Sequence, residues 1–158
     1  FYLYKIFAEE TGATREESIF SPEQYFISYL DSKRSDMAWK LTINLITELR
    51  RRVEEGGGKI FILSIPGGAE FSTESLDRLL KAYRQLRKYR WDVDRPQKIL
   101  ERYCKDNRIP FLSLGPYFRR LGEDLKKIYF TKNGHWNALG HRMVAEMVAR
   151  ELITAGLF

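Results

Sequence analysis

The sequence predicts an α/β layer fold with a mainly parallel sheet, and two observations support that prediction. A long helical pattern is closed by glycines and followed at once by a short apolar run rich in β-branched residues. The same order of helix and short apolar run then recurs further along the chain. Alternating helices and short strands are typical of domains in which helices cover a parallel sheet. With 158 residues, the chain is long enough for one domain or part of one.

The chain begins with an aromatic-rich segment, residues 1–35, for which we expect a short helix and then irregular structure. Its aromatic residues follow no clean period, and Thr11-Gly12 and Ser21-Pro22 are turn-like pairs. The α/β core is expected over residues 36–153.

The first regular helix of the core is predicted from Asp36, with Ser35 as its N-cap, because apolar residues recur there every three or four positions. Those residues are Ala38, Leu41, Leu45, Ile46, Leu49 and Val53. Glycines 56–58 end the helix. Residues 59–65 then read Lys-Ile-Phe-Ile-Leu-Ser-Ile before Pro66-Gly67-Gly68, which suits a strand buried on both faces.

Two more helices and two more strands follow in the prediction. One helix runs from Ser72 or Thr73 to about Tyr89, and the next opens at Asp94-Arg95-Pro96 and continues through Asn107. Residues 109–114 form the second predicted strand and residues 128–130 the third. A turn at Asn133-Gly134 and a final helix from Asn137 to about Ile153 complete the core.

Three strands are few for this class of fold. An open sheet typically has about five or six strands, and a sheet of three leaves an unpaired edge and an uncovered helix face. We therefore expect the N-terminal strands of the domain to be absent from this chain.

Reacting groups in an open α/β sheet gather in the loops beyond the carboxyl ends of the strands. Three such loops are predicted, after Ile65, after Leu114 and after Phe130. Only the last, residues 131–137, carries a side chain that shuttles protons near neutral pH, which is His135. His135 is therefore the first catalytic candidate, although a histidine in a loop is more often structural or simply exposed.

Residues 128–152 closely resemble the C-terminal block of the SGNH (GDSL-type) hydrolases, in which an Asp-Gly-His-Trp-Asn-x-x-Gly-His segment supplies the triad histidine. Here residues 133–141 read Asn-Gly-His-Trp-Asn-Ala-Leu-Gly-His. A less specific similarity covers residues 39–66 and 91–114. The resemblance implies a three-layer α/β/α fold of flavodoxin-like type, with this chain as the C-terminal portion of one bacterial SGNH-like domain.

The resemblance also implies a function, that of a serine esterase acting on a small-molecule or carbohydrate ester such as an O-acetyl group. His135 would then be the general base that takes a proton from a serine and returns it to the leaving alcohol. The chain contains no Gly-Asp-Ser and no Gly-x-Asn-Asp. We therefore expect an upstream segment to supply the nucleophile, and this chain alone to be inactive.

The residue that orients the imidazole differs from the family pattern. Members usually carry Asp two residues before the histidine, where this chain has Asn133. An amide accepts a hydrogen bond from Nδ1 but brings no charge, and in a serine protease triad the corresponding change lowers turnover by about 10⁴. Asn133 thus indicates a weaker base or an inactive relative. Its other interpretation is a plain Asn-Gly turn.

An alternative function follows from these departures, namely a non-catalytic or acyltransferase-associated SGNH-like module that binds or acetylates a polysaccharide. In either case the resemblance implies no cofactor. The compartment stays open, and family resemblance favours a periplasmic or membrane-associated location. Trp136 either flanks the substrate or packs in the core, and Gly140-His141 is expected to serve helix packing.

Charge, cysteine and hydropathy add weaker predictions. The formal net charge is +6, and the longest apolar stretch is too short to cross a bilayer. Cys104 is expected to be a buried, unreactive thiol, and the spacing of the two histidines does not favour a zinc site. Arginines 50–52 indicate a solvated helix face rather than a nucleic-acid surface. The densest basic cluster lies at Lys81, Arg84, Arg87, Lys88 and Arg90. A solvated surface is favoured there, with an anionic polysaccharide or a membrane surface as the alternative partner.

Overall fold

A computed structural model describes residues 22–129 and 135–157 of the chain. The predicted start over residues 1–21 and the predicted strand residue Phe130 lie outside that range. In chain order, the described elements are α1 (Pro22–Tyr25), α2 (Lys33–Glu55), β1 (Ile62–Ser64), α3 (Gly68–Phe71), α4 (Thr73–Ala82), α5 (Arg95–Asn107), β2 (Phe111–Ser113), α6 (Gly115–Leu121), α7 (Leu125–Ile128) and α8 (Ala138–Thr154). Short 3₁₀ turns lie at Ile27–Tyr29, Arg84–Lys88 and Gly122–Asp124.

The sheet in the described part of the chain has two strands, which pair in parallel. Ile62 lies opposite Phe111 and Ser64 opposite Ser113. The parallel pairing confirms the predicted helix and strand alternation, with helix α5 as the crossover between the strands. Two strands do not establish the three layers that the resemblance implied. Residues 62–64 are half-buried, which is less burial than the expected strand buried on both faces would have. Within the described residues β1 is paired along one edge only.

Helix α2 begins three residues earlier than predicted, and its N-cap is Ser32 rather than Ser35. Ser32 has extended backbone, and its Oγ accepts a hydrogen bond from the Ser35 amide at 3.1 Å. Ser35 instead lies in the first turn and is fully buried. The helix ends where predicted, at Gly56, and Gly57 takes a positive φ of 77° that favours glycine.

The outer face of helix α2 carries four large apolar side chains that remain between 47% and 72% exposed. These are Met37, Leu41, Leu45 and Leu49, which we call the α2 stripe. Three of them belong to the apolar pattern that predicted the helix. The helix packs instead through half-buried residues on its other side, among them Trp39, whose Nε1 donates to the Ser28 carbonyl at 3.1 Å.

Helices α4 and α5 confirm their predicted starts. Ser72 caps α4 by accepting from the Ser75 amide at 3.1 Å, and α5 opens with Pro96 in its first turn and ends at Asn107. The predicted end of the earlier helix is wrong, because α4 stops at Ala82, where Tyr83 leaves helical geometry. A 3₁₀ turn then covers residues 84–88.

The third predicted strand, residues 128–130, is wrong at Ile128. That residue ends helix α7, and Tyr129 forms an isolated antiparallel bridge with Trp136 rather than joining the sheet. Leu125 and Ile128 are three residues apart, which puts both on one side of a helical turn. The final helix agrees with prediction, since the Asn137 side chain caps α8 by accepting from the amides of Leu139 and Gly140.

The hydrophobic core lies around β2, α6 and α8. Its buried members are Leu112, Leu114, Phe118, Ile128 and Val144. Cys104 of α5 is buried, as predicted, and burial raises the pKa of its thiol to about 11, so the reactive thiolate is disfavoured at neutral pH. Among the helices that the structure describes, none has the length and apolar character needed to span a membrane.

Candidate active site

The segments that follow the two strands meet beyond the carboxyl end of the sheet. β1 leads through residues 65–67 into helix α3, and β2 leads directly into α6. Gly115 at the start of α6 lies in a confined position, since a Cβ there would approach Gln97 Oε1 to 3.0 Å and Ser113 Oγ to 3.6 Å. The absence of a side chain at Gly115 therefore lets α6 start close against α5.

Aromatic rings join these segments to the chain that precedes α8. The Phe118 ring makes edge contacts with the rings of Phe71, Tyr129 and Trp136, at centroid distances of 5.9, 6.1 and 6.0 Å. We call these four residues the aromatic cluster. Because aromatic pairs prefer such edge geometry, the cluster fixes the relative positions of α3, α6 and the segment before α8.

His135 is exposed and directly precedes Trp136 of the aromatic cluster. The Trp136 ring contacts Phe118, and the Asn137 side chain caps α8. Both residues that follow His135 are therefore held in place. The described contacts hold the segment beside His135 against α6, which follows β2, and His135 itself is exposed. The other predicted site residue, Asn133, lies outside the described residues.

The neighbours of His135 serve packing. Trp136 is half-buried against the core. Gly140 lies so close to the end of α7 that a Cβ would stand 2.4 Å from the Ile128 carbonyl oxygen, which supports its predicted role in helix packing. The exposed His141 contacts the Trp136 ring edge-on at 5.6 Å. In the described part of the chain no group of three or more His, Cys, Asp or Glu side chains is placed to hold a metal ion.

A buried carboxylate near this end of the sheet was missed by sequence reasoning. Glu70 of α3 is 7% exposed, and its Oε1 accepts hydrogen bonds from the Gly67 amide and the Tyr29 hydroxyl, both at 2.8 Å. Burial raises the pKa of the Glu70 carboxyl, and the two hydrogen bonds oppose that rise. Gly67 leaves room for the tyrosine, since a Cβ would approach Tyr29 Oη to 2.8 Å.

Arg119 extends this polar group toward α5. Its Nη1 donates to the Glu70 backbone carbonyl at 3.0 Å and to Asp94 Oδ1 at 2.5 Å. Glu70 follows strand β1 and the Gly67-Gly68 pair, and a carboxylate in such a loop could have been named as a candidate site residue from the sequence. The contacts of Tyr29 and Arg119 carried no such signal, because they join residues 41 and 49 positions away from Glu70.

Three serines of the described residues lie in strands or at a helix start. Ser64 and Ser113 are half-buried in the paired strands, and Ser72 Oγ serves as the cap of α4.

One protein family matches nearly all of the described chain. Residues 24–157 match the family described as "SGNH hydrolase-like domain, acetyltransferase AlgX". The chain therefore has an SGNH hydrolase-like domain, which confirms the resemblance that residues 128–152 suggested. Within that class it belongs to the AlgX family of SGNH hydrolase-like domains. Neither a curated protein nor a solved structure matches the chain.

Proposed function

We propose that the intact protein is an SGNH-type serine enzyme that cleaves a carboxylic ester, with a carbohydrate O-acetyl group as the substrate class. His135 is the general base in this proposal, and a serine from polypeptide outside this sequence is the nucleophile. The observation that carries the proposal is an exposed His135 beside Trp136, whose ring contacts α6 just after strand β2, in a chain of the SGNH hydrolase-like family.

The imidazole of His135 carries the proton in both steps of the proposed reaction. The serine Oγ attacks the acyl carbonyl as its proton moves to His135, and the same proton then leaves with the alcohol, so that an acyl-serine remains. In the second step water attacks the acyl carbonyl as one of its protons moves to His135, and that proton then passes to the serine Oγ, so that the acid leaves and the serine is regenerated. Asn133 would accept a hydrogen bond from the imidazole and orient it without adding charge.

Two exposed features support a nucleophile delivered from outside the described residues. Strand β1 is paired along one edge only within those residues, and the α2 stripe leaves four apolar side chains uncovered. An unpaired strand edge and an apolar helix face are surfaces that further sheet and helix elements cover in a layered α/β domain.

A second candidate function is transfer of the acetyl group to a sugar hydroxyl instead of water. The description of the matched family as an acetyltransferase favours it. Both outcomes use the same acyl-serine, because water and a sugar hydroxyl compete for it. The amount of free acetate relative to acetylated oligosaccharide measures which acceptor wins.

The test is turnover of p-nitrophenyl acetate by the protein expressed from its complete gene. We expect His135→Ala to lower kcat by about 10³ or more, because the serine loses its base. His141→Ala is the matched control, since it removes the chain's other histidine, and turnover should stay within about twofold. An intact, folded protein without turnover, or equal losses in both variants, would contradict the proposal.

A further inference from the structure

We propose that residues 81–90 form a docking surface for a membrane that carries anionic lipid headgroups. This segment, which we call the basic turn, contains Lys81, Arg84, Arg87, Lys88 and Arg90 and no carboxylate. It comprises the end of α4 and the following 3₁₀ turn, and it is independent of the catalytic residues proposed above.

The basic turn differs from the other dense run of cations, arginines 50–52 on α2. All three of those arginines are neutralised by glutamates, with Nε of Arg50 2.7 Å from Glu54 and Nη2 of Arg51 2.7 Å from Glu48. Arg52 shares the same Glu48 at 2.7 Å. These pairs confirm a solvated, ion-paired helix face and leave little net charge to attract a partner.

Fewer carboxylates neutralise the cations of the basic turn. Within the described residues, the ion pair found there is Arg90 with Asp31, at 3.8 Å and with both side chains largely exposed. The next acidic residues along the chain are engaged elsewhere, since Asp92 pairs with Lys98 and Asp94 with Arg119. The positive potential of this segment is therefore directed to solvent, where it attracts anions over about a Debye length.

The basic side chains lie around one buried residue. Leu86 is fully buried, and its carbonyl accepts from the Trp91 indole at 3.1 Å. The neighbours Arg84, Arg87 and Lys88 are all exposed. The 3₁₀ turn therefore presents these three cations to solvent.

Aromatic side chains accompany the charges. Tyr83 is 42% exposed, and the centre of its ring lies 6.3 Å from the centre of the Phe26 ring. Lys88 Nζ lies 5.0 Å from the centre of the Tyr89 ring. Tyrosine rings with basic side chains beside them suit the interfacial layer of a bilayer, where the ring is partly buried and the cations meet lipid phosphates. Uncompensated charge and neighbouring tyrosines together favour a membrane over a soluble polymer.

The position of the basic turn defines how the domain would face the membrane. Trp91, which directly follows the basic turn, stacks on Tyr29 at 6.2 Å, and Tyr29 binds Glu70 beyond the carboxyl end of β1. The basic turn is thus linked through these two rings to the carboxyl end of β1. A docked domain would hold that end near the bilayer surface.

The experiment is co-sedimentation of the purified protein with vesicles of phosphatidylcholine, with and without phosphatidylglycerol. We expect binding only to the vesicles that contain phosphatidylglycerol, and loss of binding at high salt. Neutralising Arg84, Arg87 and Lys88 to Gln should weaken binding about a hundredfold, since each basic side chain near an anionic surface contributes about fivefold.

The matched control removes three exposed cations elsewhere, by changing Lys105, Arg142 and Arg150 to Gln. It lowers net charge by the same amount, and binding should stay within about threefold of the unchanged protein. Thermal unfolding of both triple variants verifies that each is folded. Equal binding by the two variants, no binding to anionic vesicles, or tighter binding to a soluble polyanion than to vesicles would overturn the proposal.

Discussion

The two apolar regions of this domain lie in opposite environments. The aromatic cluster and the core beside it bury Phe118 completely, with the rings of three other residues around it. The α2 stripe has a regular apolar pattern along one helix, yet its side chains face solvent. A regular apolar pattern therefore indicates which side of a helix is apolar, and the burial of that side depends on what packs against it.

The largest expected difference between the two regions comes from truncating one large side chain in each. Phe118→Ala should lower the free energy of unfolding by about 3–5 kcal/mol, because it removes a buried ring and leaves a cavity. In the chain of residues 1–158 alone, Leu45→Ala on the α2 stripe should cost less than about 1 kcal/mol, because little apolar area returns to water. Urea denaturation followed by circular dichroism measures both. Similar losses would show that the α2 stripe is buried in solution.

A glycine substitution tests how tightly the core holds helix α8. Gly140→Ala should lower the free energy of unfolding by about 1–3 kcal/mol, because the new Cβ would meet the Ile128 carbonyl at 2.4 Å. Gly56→Ala at the end of α2 is the control. There the closest atom to a new Cβ is 3.5 Å away, so the loss should stay below about 0.5 kcal/mol. A stabilised Gly140→Ala variant would contradict the close packing of α8 on α7.

A smaller effect is expected from the hydrogen bond that joins the two regions. Tyr29 lies in the 3₁₀ turn that packs on α2, and Glu70 precedes Phe71 of the aromatic cluster. Glu70→Ala should cost about 1–3 kcal/mol, because the Gly67 amide and the Tyr29 hydroxyl lose their buried acceptor. Tyr29→Phe removes one of the two hydrogen bonds and should cost about 0.5–1.5 kcal/mol.

The Glu70 carboxyl is expected to make the free energy of unfolding depend on pH. Its pKa is raised by burial above the ordinary value of 4.5, so the folded state binds the proton more tightly than the unfolded state. The stability that protonated Glu70 contributes is then fully present below pH 4.5 and is lost as the pH rises through the raised pKa. Glu70→Gln, which keeps an acceptor oxygen, should remove this dependence. An unchanged pH profile of unfolding in Glu70→Gln would contradict the assignment.

Much of the secondary structure was predictable from neighbouring residues. The starts of α4 and α8 follow from Ser72 and Asn137, because a cap bonds amides two or three residues ahead. The start of α5 follows from Pro96, because the fixed φ of proline suits the first helical turn. His135 became a candidate through its residue type and its place in a motif. The third strand was predicted wrongly at Ile128, since a short apolar run is compatible with either a strand or a helical turn.

The tertiary structure alone decided which of these local features meet. Glu70 became buried and hydrogen-bonded through Tyr29, which is 41 residues away, and Trp136 became part of the core through Phe118. Local patterns are set by residues within one helical turn or one strand pair, and these can be read along the chain. Burial and charge compensation depend on segments that approach only after folding. For that reason the apolar pattern of α2 could be located from the sequence, whereas its exposure and the assembly of the aromatic cluster could not.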